Sequence, residues 1–405
     1  ACPGKRLVTP AGSAAVRSND TDYPFRAHSA FAHLTGWAAD SQPDSLLVFE
    51  PTDAGHDVTL YFRERADRHT AEFYSNAAIG EFWIGPRPAL DGVAAELGLA
   101  TAHIDTFAAG DADLVVDQDD ELTRFVSELR LIKDAYEIAQ MRLAVDVTAR
   151  GFDDIIAELP KAIAHPRGER IVEGVFYTRA RADGNEVGYS TIAASGHHAC
   201  YLHWTRNDGV VAPGDLILID AGVEVDSLYT ADITRTLPVS GTFSDVQRKI
   251  YETVREAADA AFAAAKIGVK FRSVHEAAME VIAARTAEWG LLPVTAEEAL
   301  DADSGGQHRR YMVHGTSHHL GIDVHDCAQA RREMYYDGEL EAGMVFTIEP
   351  GLYFQIDDVT VPEEYRGIGA RIEDDILMTA DGPVNLSAGI PRTADEVEAW
   401  VQRSL

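Results

Sequence analysis

The 405-residue sequence predicts an α/β (α+β) fold: a mixed α/β domain at the N-terminal end, then a larger domain in which helices back a sheet. Three observations point there. Strand-like runs joined by turn residues occupy the first part; the patterning changes near residue 125; and beyond it helical spacing alternates with apolar, strand-like runs that carry carboxylates.

In chain order, Ser45 to Glu50 and Val58 to Arg63 read as strands, with the turn residues Pro51, Asp53 and Gly55 between them. The change of style places the domains at 1–125 and 126–405. From Asp134 the apolar positions Ile138, Met141, Val145, Phe152, Ile155 and Leu159 fall at helical spacing, and Asp134 with Glu137 forms a capping box. Ser244 with Gln247 and Ser273 with Glu276 read as the openings of two more amphipathic helices. The residues show no internal repeat.

Composition excludes more than it identifies. With 35 basic against 66 acidic residues, a formal net charge of −31 repels nucleic acid and anionic membrane. No apolar run approaches the roughly 20 residues that span a bilayer. The opening ACPGKRLVTPAG lacks the apolar centre of a signal peptide, so a cytoplasmic protein is expected, although no initiator Met is present. Cys2, Cys200 and Cys327 are too few and too irregular for a disulfide framework or a thiolate metal site.

The chemistry gathers in five residues of the second half: Asp220 in LILIDAG, Asp232 in YTADITRT, His318 in HGTSHHLGIDVHD, Glu349 in FTIEPGLY and Glu373 in GARIEDDI. Each sits in or at the end of a strand-like run, where an ionised side chain is costly to desolvate unless opposite charge is present. A hairpin folded about Asp226 would put Asp220 directly opposite Asp232, a pairing that favours a cation between them. Val345, Thr347 and Glu349 share one strand face before Pro350 and Gly351 end it, and Arg371 and Glu373 share another. Four carboxylates balance two divalent cations. Oxygen-rich donors with one imidazole suit Mn²⁺, with Co²⁺ or Zn²⁺ also compatible.

Taken in order, IDAG, ADITRT, HGTSHHLGIDVHD, TIEPGLY and GIGARIEDDI resemble the proline-directed metallopeptidases of the pita-bread fold, the family of aminopeptidase P and prolidase. The resemblance implies a curved, mainly antiparallel sheet backed by helices, with a weak two-fold pseudo-symmetry. It implies two metal ions, usually manganese, bound by Asp220, Asp232, His318, Glu349 and Glu373, with Asp232 and Glu373 bridging both or nearly so. RSNDTDYPFRAHSAFAHLTG (17–36) and EFWIGPRP (81–88) resemble the N-terminal domain of aminopeptidase P rather than that of prolidase. The expected activity is therefore removal of the N-terminal residue from peptides with proline second.

By the same resemblance His203, in ACYLHWTRND, contacts substrate, as do His314 and His325, which also reach the developing tetrahedral centre. Arg371 lies near Asp220 and Tyr353 and orients the metal site. His197, His198 and His319 read as surface residues, or pocket lining at most. The expected mechanism is attack by a metal-bridging hydroxide on the Xaa-Pro carbonyl, with Glu349 as general base, His325 and a metal stabilising the oxyanion, and His314 helping to hold the peptide. The alternatives are a prolidase acting on dipeptides, an organophosphate-hydrolysing relative, and a non-catalytic peptide-binding protein of the same fold. Relatives form dimers or tetramers, which makes Trp83 either the cap on a neighbour's site or a core residue.

Overall fold

Residues 4–111 and 113–405 are described by the computed structural model, and they divide into two units, 1–129 and 130–405. Cys2 lies outside the described residues. The first unit is built on a five-stranded sheet of β1 (Leu7–Pro10), β2 (Leu46–Thr52), β3 (Gly55–Phe62), β4 (Ala100–His103) and β5 (Leu114–Val115), in the order β4-β3-β2-β1-β5. The two expected strands are β2 and β3, and both run further than the sequence suggested. Pro51 pairs with His56 inside the ladder instead of turning. It is tolerated because β1 pairs with β2 only from Leu46 to Phe49, so the amide that proline lacks faces no partner strand.

Helix α1 (Ser29–Thr35) covers this sheet, and its Phe31 is fully buried with Leu47, Leu60 and Phe62. Helix α2 (Asp120–Glu128) opens on Asp119, whose carboxylate accepts from the Leu122 amide at 2.8 Å. The boundary read at residue 125 falls inside this helix. Leu122 and Val126 pack with Ala30 and Val116, which ties all of α2 to the first unit.

The second unit opens with the 30-residue helix α3 (Ala135–Ala164), and Asp134 and Glu137 form the expected capping box. Helix α4 (Gly168–Asp183) follows it, and α5 (Asp245–Ala264) begins with the expected Ser244–Gln247 box. Helix α6 (Arg272–Glu288) departs from expectation. It starts behind Phe271 with no side-chain cap, so Ser273 lies within the first turn and Glu276 instead pairs with Arg272 at 3.5 Å.

The sheet that these helices back consists of β6 (Ile192–Ser195), β7 (Leu216–Ala221), β8 (Ile233–Pro238), β9 (Val345–Ile348), β10 (Gly351–Tyr353), β11 (Gly369–Arg371), β12 (Asp374–Thr379) and β13 (Gly382–Asn385). Its ladders are antiparallel: β6-β7-β8, β9-β12-β13 and β10-β11. Two of its long strands break at the same level. Ile348 pairs with Asp374 on one side of the gap and Gly351 with Arg371 on the other, so a constant register sets Glu349 opposite Glu373. Pro350, with no amide hydrogen to give, marks the break. Strand β8 joins the two halves: the Glu373 amide donates to the Thr234 carbonyl at 3.1 Å, and the Thr236 hydroxyl donates to the Arg371 carbonyl at 2.9 Å. Among the described residues no helix is long and apolar enough to cross a membrane.

Candidate active site

The β7–β8 hairpin turns one residue later than expected. Asp220 pairs with Thr234, so Asp232 is its diagonal neighbour rather than its direct partner. The offset in pairing is two residues, which preserves the face, and both carboxylates still point to the same side of the sheet. Gly222 makes this possible. A Cβ there would lie 1.7 Å from the Ala231 carbonyl oxygen, so no other residue admits so close an approach of the two strands beside Asp232.

Tyr189 fills the space between the two aspartates. Its hydroxyl lies 2.6 Å from Asp220 Oδ1 and 2.6 Å from Asp232 Oδ1. It has no motif around it, and its chemistry depends on a chain reversal that a local reading does not supply. On the other side of Asp220, the buried Arg371 guanidinium pairs with Oδ2, and it also donates to Thr234 Oγ1 and to the Tyr353 hydroxyl, each at 3.1 Å.

His318 arrives on an extended segment beside β9, where the Thr347 amide donates to the His318 carbonyl and the Glu349 amide to the Thr316 carbonyl. Its Nε2 lies 3.3 Å from Asp232 Oδ2, 3.7 Å from Glu349 Oε1 and 4.0 Å from Glu373 Oε1. Ligand atoms of Asp232, His318 and Glu373 all fall within 4.8 Å of one another. Behind them Asp375, which the sequence reading passed over, is fully buried; its Oδ2 accepts from the Asp232 amide at 3.2 Å. Its signal was visible as a second acid in an apolar strand.

The electrostatics record the crowding. Burial and the charges of Asp232 and Glu349 drive Glu373 well above the usual carboxylate range. Burial likewise pushes Glu349 up to about 7, against the pull of His318 and Arg371. Burial acts the other way on His318, but its bond to Asp232 and the charge of Glu349 outweigh it and lift the imidazole to about 9.

These groups line a cavity of about 590 Å³ together with His203, His314, Val324, His325 and Tyr335. The His325 ring meets His318 edge-on, with centroids 4.5 Å apart. His314 is held neutral by burial, at about 3. Its Nδ1 therefore donates to the Gly315 carbonyl at 2.7 Å, and its Nε2 accepts from the Tyr353 hydroxyl at 2.7 Å. A continuous chain thus runs from Asp220 through Arg371 and Tyr353 to His314.

Two histidines are not where the sequence put them. His319 is fully buried, its ring 4.5 Å from that of Phe271 and 4.6 Å from that of Tyr335, and burial lowers it to about 3. The alternation of the segment explains this: His318 faces the cavity and the next side chain must face the core. His198 stacks on Trp204 with centroids 3.8 Å apart and faces the buried Glu169; His197 alone of the three is exposed.

Residues 139–380 match metallopeptidase family M24, and residues 2–120 match the aminopeptidase P N-terminal domain. The chain belongs to metallopeptidase family M24, with the pita-bread fold of its aminopeptidase P branch. It is 51% identical to Xaa-Pro aminopeptidase 1 of Streptomyces coelicolor over 98% of this chain and 84% of that protein, and 32% identical to the Xaa-Pro aminopeptidase of Escherichia coli over 98% and 93%. Among solved structures, a variant of Escherichia coli aminopeptidase P in complex with substrate superimposes with a TM-score of 0.84 at 30% identity, covering 99% of this chain and 95% of that one. The zinc-substituted Escherichia coli enzyme in complex with product gives 0.84 at 30% identity over 100% and 95%.

Proposed function

We propose that this chain is a metal-dependent aminopeptidase that removes the N-terminal residue from peptides whose second residue is proline. The observation that carries the reading is the cluster of buried Asp220, Asp232 and Glu373 with half-buried His318 and Glu349 at the base of an open cavity. Four carboxylates with Arg371 as their paired guanidinium leave an excess of negative charge, and oxygen donors with one imidazole fit divalent ions of the manganese type, with cobalt or zinc compatible. Those five residues would hold two such ions, which supply Lewis acidity and a water ionised near neutral pH.

The remaining roles belong to the chain's own groups. Glu349, on the cavity side of the cluster, takes the proton from the attacking water as general base. His325 donates to the oxyanion that forms at the Xaa-Pro carbonyl. His314 and His203 contact the peptide, and Arg371 orients Asp220 and Tyr353. An Xaa-Pro bond has no amide hydrogen, so recognition rests on shape and on the free amino group rather than on a donor at the scissile nitrogen.

Free thiols at Cys200 and Cys327 support a reducing, cytoplasmic setting. Exposed Phe82, Trp83 and Ile84 support a homo-oligomer, dimer or tetramer, in which this apolar patch is covered. The test is to strip the enzyme with chelator, reload it with each metal, and compare Xaa-Pro-Yaa peptides with Xaa-Pro dipeptides. Preferential cleavage of the longer peptides is expected, best with Mn²⁺; preference for dipeptides would move the reading to a prolidase. Glu349→Ala should abolish turnover, and near-normal turnover with full metal occupancy would refute its role as base.

A further inference from the structure

One wall of the cavity is the segment from Gly196 to Gly209, which contributes Leu202, His203 and Thr205. After a single 3-10 turn at Gly196–Cys200 it has no regular structure, so its backbone must be held by other means. Glu169, in the first turn of α4, holds it. This carboxylate is fully buried and meets four donors: Oε1 accepts from the Ser195 amide at 2.8 Å and faces His198 Nδ1 at 2.8 Å, while Oε2 accepts from Trp204 Nε1 at 2.9 Å and from the Gly209 amide at 2.6 Å.

The donors run from Ser195, immediately before the segment, to Gly209 at its end. His198 and Trp204 bracket His203, and their rings stack on each other with centroids 3.8 Å apart. The Glu169 amide also donates to the Gly209 carbonyl at 3.2 Å. Gly209 cannot carry a side chain, because a Cβ would lie 2.7 Å from the His198 ring and 2.8 Å from the Glu169 carboxyl carbon. Buried Asn207 adds a second anchor: it donates to the Thr191 carbonyl and accepts from the Ala193 amide, both at 2.9 Å. A carboxylate taken out of water is costly unless its lone pairs are met, and here they are met almost entirely by the segment that carries His203.

We propose that Glu169 is a positioning residue that, through Trp204 and His198, sets the place of His203 in the cavity and so controls how tightly the peptide is held. The inference rests on the peptidase reading above. Two variants test it. Glu169→Gln turns an NH₂ group onto two of the four donors at unchanged volume. Trp204→Phe keeps an aromatic ring over His198 and removes a single donor, which preserves the fold if the first variant proves too severe.

Hydrogen exchange on the full chain reads the order of the segment independently of activity. Exchange of residues 196–209 should rise by about tenfold in Glu169→Gln and by less in Trp204→Phe, while residues 316–320 stay protected. In the metal-loaded enzyme KM for an Xaa-Pro-Yaa peptide should rise by about tenfold with kcat held within about threefold. In a His203→Ala background the same Glu169→Gln change should move KM by less than about twofold, because the residue it acts through is gone. Unchanged exchange in both variants overturns the inference, as do KM effects that simply multiply with those of His203→Ala. If the unmodified, metal-loaded enzyme ignores Xaa-Pro peptides, the peptidase reading fails instead, and the exchange comparison alone decides whether Glu169 orders the segment.

Discussion

Tyr189→Phe isolates a contact that only the folded chain creates. The hydroxyl has one hydrogen yet sits 2.6 Å from an oxygen of each of two carboxylates. It can donate to only one of them at a time, and burial raises Asp220 against the pull of Arg371. Where these aspartates held a cation, the hydroxyl would support one of the carboxylates from behind and hold its orientation. A hydrogen bond to a charged group contributes about 1.5–3 kcal/mol. Deleting it should therefore weaken metal binding by about tenfold to a hundredfold, the range typical of groups that support a ligand from behind. The assay is titration of chelator-stripped Tyr189→Phe and unsubstituted enzyme with Mn²⁺ by calorimetry, alongside turnover at saturating metal. Affinity should drop while kcat at saturation stays within about threefold. Unchanged or tighter binding refutes the reasoning, and so does a turnover that saturating metal fails to restore.

Two further outcomes follow from the geometry. Lys133 Nζ lies 2.9 Å from Asp326 Oδ2, both side chains almost wholly buried, with Arg130 Nε 3.2 Å from the other oxygen; Lys133→Met leaves that acid underpaired beside His325 and should cost about 3–5 kcal/mol in urea unfolding, whereas a loss below about 1 kcal/mol would show the pair to be dispensable. Metal binding should release protons and strengthen with rising pH, because Glu349 at about 7, Glu373 raised well above the usual carboxylate range by burial, and His318 at about 9 favour protons that a cation would displace; calorimetry in buffers of different ionisation enthalpy reads this, and zero net release at pH 7 would contradict the clustered geometry.

The sequence was most legible where physics acts locally. The Asp134–Glu137 and Ser244–Gln247 boxes formed because a cap involves residues three apart. Ser273–Glu276 carried the same pattern and failed, because packing of Phe271 against His319 and Phe346 sets the start of α6 two residues earlier. Pro51 was misread for a related reason: whether a missing amide matters depends on where the neighbouring strand ends. His319 looked like a surface residue because a histidine pair says nothing of which member faces inward until the pleat is known.

For the site, the identity of the five clustered residues could be read from the chain, since an acid inside an apolar strand advertises its own desolvation cost wherever the strand ends up. Their partners could not be read from local pattern: only the family resemblance placed Arg371 near Asp220 and Tyr353, and nothing pointed to Tyr189 or Glu169. Arg371 meets Asp220 across 151 residues, Tyr189 meets it across 31, and Glu169 reaches Gly209 across 40. The sequence by itself determined which side chains demand compensation in this protein. Only the tertiary structure decided what compensates them, because hydrogen bonds and ion pairs form between atoms a few ångströms apart, and the register of the sheet, not the order of the chain, brings those atoms together.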